Sequence, residues 1–209
     1  MKIRNVSLFI LIFFLAAVIS ILIHELGHCL FYWIQGIPAA FSLTKEYPLQ
    51  DITVQNYRIG SLGGPVTNFI QIIVVLILIR RYRRNRKMNM VLVSFLLVNI
   101  YYFIFRSLIA ILKRDGGELE DAANLFGLNY WMFIIAFLTV TVVVLYILIK
   151  WDSFRINISN ILRFIGLFIA FVVIVVMLET VDKKLFWAKY PKIEIEDGRI
   201  YHDPQRYLR

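Results

Sequence analysis

The chain has 209 residues, of which 60% are hydrophobic and 18% are charged, and its formal net charge is +9. Soluble domains average about 45–50% apolar and about 25% charged residues, so this composition excludes an ordinary soluble protein. The positive charge is expected to contact anionic lipid head groups rather than nucleic acid. We therefore predict an all-α polytopic protein of the cell membrane.

The first predicted spanning helix runs from Val6 to Ile34 and carries no charge before His24. It is longer than the apolar region of a signal peptide and has no clear cleavage site, so we interpret it as a retained span. It contains the HExxH motif His24-Glu25-Leu26-Gly27-His28. Histidines four residues apart share one helix face and can bind one Zn²⁺, while the glutamate can accept a proton from the attacking water. The alternative is a pair of hydrogen-bonded core histidines.

Cys29 is the single cysteine, so no disulfide forms within the chain. It follows His28 directly, but on a helix it points about 100° away from that neighbour. We expect a small buried residue and not a metal ligand.

The segment from Gly36 to Gly63 is more polar, and within it Phe41–Thr44 and Ile52–Gln55 alternate as short strands do. This pattern predicts a small membrane-associated hairpin, with a plain surface loop as the alternative. The second predicted span, Val66–Ile79, is short, so we expect it to begin earlier or to enter the membrane at an angle.

Six cations between Arg80 and Lys87 are the strongest orientation signal and place this loop and the amino terminus in the cytosol. Three further spans are predicted at Met88–Leu112, Tyr130–Ile149 and Ile161–Leu178. His24 then lies roughly 27 Å along the first helix from Val6, near the far side of the membrane. The third span ends on that same side.

A catalytic zinc site usually has three protein ligands and one open position. Carboxylates that follow the third span could supply the third ligand: Asp115, Glu118, Glu120 and Asp121. Asp115 is preferred because Gly116-Gly117 allows a tight turn, although it could instead cap a helix over Glu118–Leu125. His202 lies in the polar tail and is expected to be exposed.

Arg106 lies in the middle of the third span. An arginine at this depth usually faces the protein interior or a water-filled cavity. It could bind a substrate carboxylate or stabilise an oxyanion, and an ion pair with Glu179 or an aspartate is the alternative.

Three motifs in this order resemble those of the site-2 protease family, the M50-type intramembrane zinc metalloproteases. The HExxH motif matches the family's zinc motif, Gly63–Asn68 resembles its Gly-Pro-x-x-Asn element, and Asp115-Gly116-Gly117 resembles its Asp-Gly element. The resemblance implies a three-helix metalloprotease core in residues 1–128, with His24, His28 and Asp115 as zinc ligands. The family often has an asparagine and prolines shortly before its Asp-Gly, whereas here Asn99 precedes Asp115 by 16 residues with no proline between them.

The resemblance and the residues together predict an intramembrane zinc metalloprotease that hydrolyses peptide bonds of membrane-associated proteins or peptides. Glu25 would act as general base, while Asn68 and Arg106 would contact the substrate. Residues 129–180 would form two accessory spans, and residues 181–209 a polar basic tail. The alternative functions are a non-catalytic metal-binding membrane protein, such as a transporter or regulator, and an accessory protein in which the motif occurs by chance.

Overall fold

The computed structural model describes residues 3–82, 84–113, 116–151, 158–187, 193–196 and 199–202. The described chain is mostly helical, and five helices are long and apolar enough to cross a membrane. They are α1 (Ile3–Ile34), α2 (Val54–Tyr82), α3 (Arg86–Lys113), α5 (Tyr130–Lys150) and α6 (Ile158–Asp182), with the short α4 (Glu118–Leu125) between α3 and α5. Each predicted span corresponds to one of these helices, so the prediction of a helical chain with five span-length helices is confirmed.

Local hydrogen bonds explain where two of the helices begin. The Asn56 backbone N–H donates to Thr53 Oγ1 at 3.1 Å, so Thr53 caps α2 and starts it twelve residues before the predicted Val66. The expectation that this helix begins earlier is confirmed. The Asn129 side chain caps α5 in the same way by accepting the Trp131 backbone N–H at 3.0 Å.

The helix over Glu118–Leu125, which the sequence offered only as the alternative in which Asp115 is its cap, is present as α4. Gly117 occupies its N-cap position with φ of 50°, a left-handed conformation that glycine adopts without strain, and it makes no side-chain cap. Asp115 lies outside the described residues.

The core of the bundle forms where α1, α2 and α3 pack on one another. Aromatic side chains fill its centre, with Phe103 stacked on Phe137 of α5 and the Tyr101 hydroxyl donating to the Phe164 carbonyl of α6. α5 and α6 bury one side each and leave large apolar side chains exposed, among them Ile135, Val142, Ile169 and Val176. A bilayer would cover this apolar surface.

A β-hairpin lies between α1 and α2, but its strands differ from the predicted ones. β1 (Ala39–Phe41) pairs antiparallel with β2 (Glu46–Pro48), so the predicted strand Phe41–Thr44 is a turn after its first residue. β3 (Ile52–Thr53) ends where α2 begins, which shortens the predicted strand Ile52–Gln55. β3 pairs instead with β5 (Arg199–His202), which also pairs with β4 (Ile193–Glu196).

The hairpin turn is bound to the end of α6 through Asp182, which is fully buried. The Asp182 carboxylate accepts hydrogen bonds from Ser42 Oγ at 2.7 Å, from the Leu43 N–H at 3.2 Å, and from the Thr44 N–H and Oγ1 at 3.0 and 2.7 Å. A carboxylate with this many donors needs no cation to offset its burial. The end of α6 therefore holds the hairpin in place.

Candidate metal centre

The HExxH motif lies in the buried part of α1, where its two histidines face α2 and α3. His24, Glu25 and His28 are 1%, 6% and 0% exposed. The Nε2 atoms of His24 and His28 lie 3.1 Å apart. The spacing of four residues thus has the predicted effect, because both imidazoles lie on one face of the helix.

Glycines on α2 let this helix approach the motif closely. A Cβ on Gly63 would lie 2.7 Å from the Gly27 carbonyl carbon, so α1 and α2 touch backbone to backbone here. A Cβ on Gly64 would lie 2.5 Å from His24 Nε2 and closer still to His28 Nε2. Gly64 therefore leaves open the space between the two imidazole nitrogens.

The third member of the cluster is Glu118, the first residue of α4. Its Oε2 lies 3.4 Å from His24 Nε2 and 3.9 Å from His28 Nε2. Two nitrogen ligands of a tetrahedral zinc, each at about 2.0–2.1 Å from the metal, are about 3.3 Å apart, so these separations suit three ligands of one ion.

The surroundings of both imidazoles also fit a metal. His28 Nδ1 lies 2.9 Å from the Gly60 carbonyl oxygen and 3.2 Å from the Gly64 backbone nitrogen. Since a carbonyl oxygen can only accept, the tautomer protonated at Nδ1 makes the shorter bond and leaves the Nε2 lone pair directed into the cluster. His24 Nδ1 is buried, and the side-chain amide of Asn68 on α2 lies beside the His24 ring. A flipped Asn68 amide would accept the His24 Nδ1–H and give the second imidazole the same orientation.

Tyr102 and Arg106 on α3 complete the wall beside Glu118. The Tyr102 hydroxyl lies 2.7 Å from His24 Nε2 and 3.2 Å from Glu118 Oε2, and it accepts the Arg106 Nε–H at 2.9 Å. The Arg106 guanidinium forms an ion pair with Glu118 Oε1. Arg106 thus faces the protein interior, as expected. Its ion-pair partner is Glu118, and not Glu179 or an aspartate as in the predicted alternative.

Glu25 faces a second carboxylate that the hairpin supplies. Ligand atoms of Glu25, His28 and Glu46 all lie within 4.8 Å of one another. Oε2 of Glu25 is buried without a hydrogen-bond partner in the described part of the chain. The general base expected from the motif therefore lies beside the histidines with one oxygen available.

The other predicted residues are distributed as follows. Asp115, the preferred third ligand, lies outside the described residues, and its role stays a prediction. Glu120 accepts the Gly116 N–H at 3.1 Å, and Asp121 accepts Ser61 Oγ at 3.4 Å, so both carboxylates have partners outside the cluster. Burial raises the pKa of Asp121 to about 6.

Three further residues lie away from the cluster. Glu179 pairs with Lys183 at 2.6 Å, so the alternative that it pairs with Arg106 is wrong. Cys29 is fully buried in a small apolar cluster with Tyr32, as expected. The backbone of His202 belongs to β5, and its side chain lies outside the described set.

Sequence reasoning overlooked Tyr102 and Glu46. Tyr102 precedes Arg106 by four residues and so shares its helix face, a spacing that could have identified it. Glu46 has no such signal, because its position depends on how the hairpin folds over the helices. Comparisons with protein-family models, with curated proteins and with solved structures find no match for this chain.

Proposed function

We propose that this protein is an intramembrane zinc metalloprotease of the site-2 protease type, which hydrolyses peptide bonds of membrane-associated proteins or peptides. The observation that carries the proposal is the convergence of His24 Nε2, His28 Nε2 and Glu118 Oε2 beside the buried carboxylate of Glu25. Two imidazoles and one carboxylate are a common ligand set of catalytic zinc. The helices α1, α2 and α3 would form the family's three-helix core.

The third ligand comes, in this proposal, from the segment that follows α3. The distances of Glu118 Oε2 to the two histidine nitrogens support Glu118 as this ligand, whereas the family resemblance supports Asp115. Glu118 begins α4, which follows the end of α3 farthest from the basic loop between α2 and α3, and Asp115 precedes it by three residues in the sequence. Metal binding by single variants at these two positions decides which carboxylate is the ligand.

When bound, Zn²⁺ would lower the pKa of water and polarise the scissile carbonyl. Glu25 accepts a proton as the water oxygen bonds to the carbonyl carbon. It then passes this proton to the amine nitrogen as the carbon–nitrogen bond breaks. A substrate helix must unwind locally, because its carbonyls are otherwise engaged in its own hydrogen bonds.

The test is the zinc content of the detergent-purified protein and of its variants. We expect about one zinc per chain in the wild type, loss in His24→Ala, loss in one of Asp115→Ala and Glu118→Ala, and retention in Asp121→Ala. Asp121 is the matched control because it is a nearby carboxylate bonded to Ser61. A folded wild type without zinc would refute the proposal.

Catalysis is separated from metal binding by Glu25→Gln. We expect this variant to keep its zinc and to lose cleavage of a fluorescently labelled library of transmembrane peptides, with wild-type products mapped by mass spectrometry. A non-catalytic metal-binding protein would bind zinc equally well and yield no products even with Glu25 intact. Substrates cleaved by wild type and Glu25→Gln at equal rates would contradict the role of this carboxylate as base.

A further inference from the structure

We propose that the Tyr102 hydroxyl is the hydrogen-bond donor to the scissile carbonyl oxygen as negative charge develops on it. This inference rests on the proposed protease function and assigns a catalytic role that the motif does not contain. Tyr102 belongs to α3, whereas the histidines and Glu25 belong to α1.

The two acceptors that the Tyr102 hydroxyl faces are the expected metal ligand His24 and the candidate third ligand Glu118. They are His24 Nε2 at 2.7 Å and Glu118 Oε2 at 3.2 Å. A metal ion held by His24 Nε2 would take this acceptor from the phenol and move its oxygen aside, while Arg106 and Glu118 would still hold it next to the ligand atoms. Its proton would then be shared between Glu118 Oε2 and an oxygen bound beside the ligand atoms, and in the proposed reaction the substrate carbonyl oxygen receives it as negative charge develops there.

Arg106 fixes this orientation. Its Nε–H donates to the phenol oxygen at 2.9 Å, so the oxygen is occupied as an acceptor and its own O–H is left to donate elsewhere. The same guanidinium pairs with Glu118, which prevents it from rotating away. A donor held in place before the reaction stabilises developing charge without a cost of reorganisation.

There is room for a substrate on this side of the cluster. A cavity of about 160 Å³ lies between the end of α3 and the start of α4, lined by Arg106, Ala110, Gly116 and Glu118. Tyr102 itself is only partly buried. Tyr102 does not line this cavity, but it contacts two residues that do, Arg106 and Glu118, so extended backbone in the cavity would lie beside the partners of the phenol.

The experiment compares Tyr102→Phe with Tyr101→Phe. Each variant removes one phenol oxygen from α3, but the Tyr101 hydroxyl donates to the Phe164 carbonyl on the other side of the helix. Cobalt(II) replaces zinc so that metal content and the binding of acetohydroxamate are both read from the visible spectrum. Acetohydroxamate presents a negatively charged oxygen that a donor beside the metal can bond.

We expect Tyr102→Phe to keep wild-type metal stoichiometry and to bind acetohydroxamate about 10- to 100-fold more weakly, as loss of a hydrogen bond to a charged group does. Tyr101→Phe should bind it with wild-type affinity. Equal affinity in wild type and Tyr102→Phe, or loss of metal from Tyr102→Phe, would overturn the assignment. A wild type that binds no metal would instead refute the proposed function, so the two failures are distinguishable.

Discussion

Replacing Gly64 by alanine should abolish metal binding, because its Cβ would enter the space between the two histidines. That carbon would lie 2.5 Å from His24 Nε2, whereas ordinary contacts begin at 3.4 Å, so the ring must withdraw by about 1 Å. A displacement of this size is half the length of a zinc–nitrogen bond of about 2.0–2.1 Å. The affinity should therefore fall by more than the roughly 10- to 100-fold that loss of an outer hydrogen-bond partner costs.

The assay is zinc content together with thermal unfolding in detergent, and Gly166→Ala on α6 is the control. A Cβ on Gly166 meets nothing within 4 Å, so this variant should keep its zinc and gain up to about 1 kcal/mol of helix propensity. Gly64→Ala should lose zinc while it still unfolds cooperatively. A Gly64→Ala variant with full zinc occupancy would show that the metal lies elsewhere and would refute the geometric reasoning.

Two further predictions concern regions outside the metal cluster. Asp182→Ala removes the acceptor of four hydrogen bonds from the hairpin turn, so trypsin should cleave faster at Lys45. Thr180→Val is the control, because it removes a hydrogen bond within α6 and none to the hairpin. An unchanged rate of cleavage in Asp182→Ala would contradict the anchoring role. Because burial raises the pKa of Asp121 to about 6 from its ordinary 3.8, the ionised form is disfavoured in the folded state, and wild-type stability should fall as pH rises through this range. Asp121→Asn should not lose stability in this way. In thermal unfolding of the metal-free proteins, the variant should therefore be more stable than the wild type above about pH 6 and nearly equal to it near pH 4. Unfolding temperatures of the two proteins that change in parallel with pH would contradict the prediction.

Much of the architecture could be predicted because long, uncharged apolar segments indicate span-length helices by composition alone. All five span-length helices correspond to predicted segments, and α4 occupies the segment that the sequence offered as a helix only in the alternative interpretation of Asp115. His24, Glu25 and His28 were also predictable as a group, since a spacing of four residues fixes their common face on any helix.

The remaining parts of the site depend on tertiary contacts that local patterns do not encode. The strands of the hairpin were misplaced because Thr53 caps a helix in a segment whose alternation also suits a strand. Glu118 and Asp115 are three residues apart, and sequence alone cannot say which one a turn of glycines directs at the histidines. Glu46 reaches Glu25 only because the hairpin folds back over α1.

The bond between Asp182 and the hairpin turn has a consequence for how the molecule is assembled during synthesis. The side chains of the candidate metal centre, His24, His28, Tyr102 and Glu118, are all made before residue 119 and can come together while α5 and α6 are still unsynthesised. The turn at Ser42 acquires its acceptor only about 140 residues later. The nascent protein would thus contain the candidate ligands before Asp182 can bond the hairpin turn. Synthesis of the end of α6 supplies this carboxylate and fixes the hairpin against the helices.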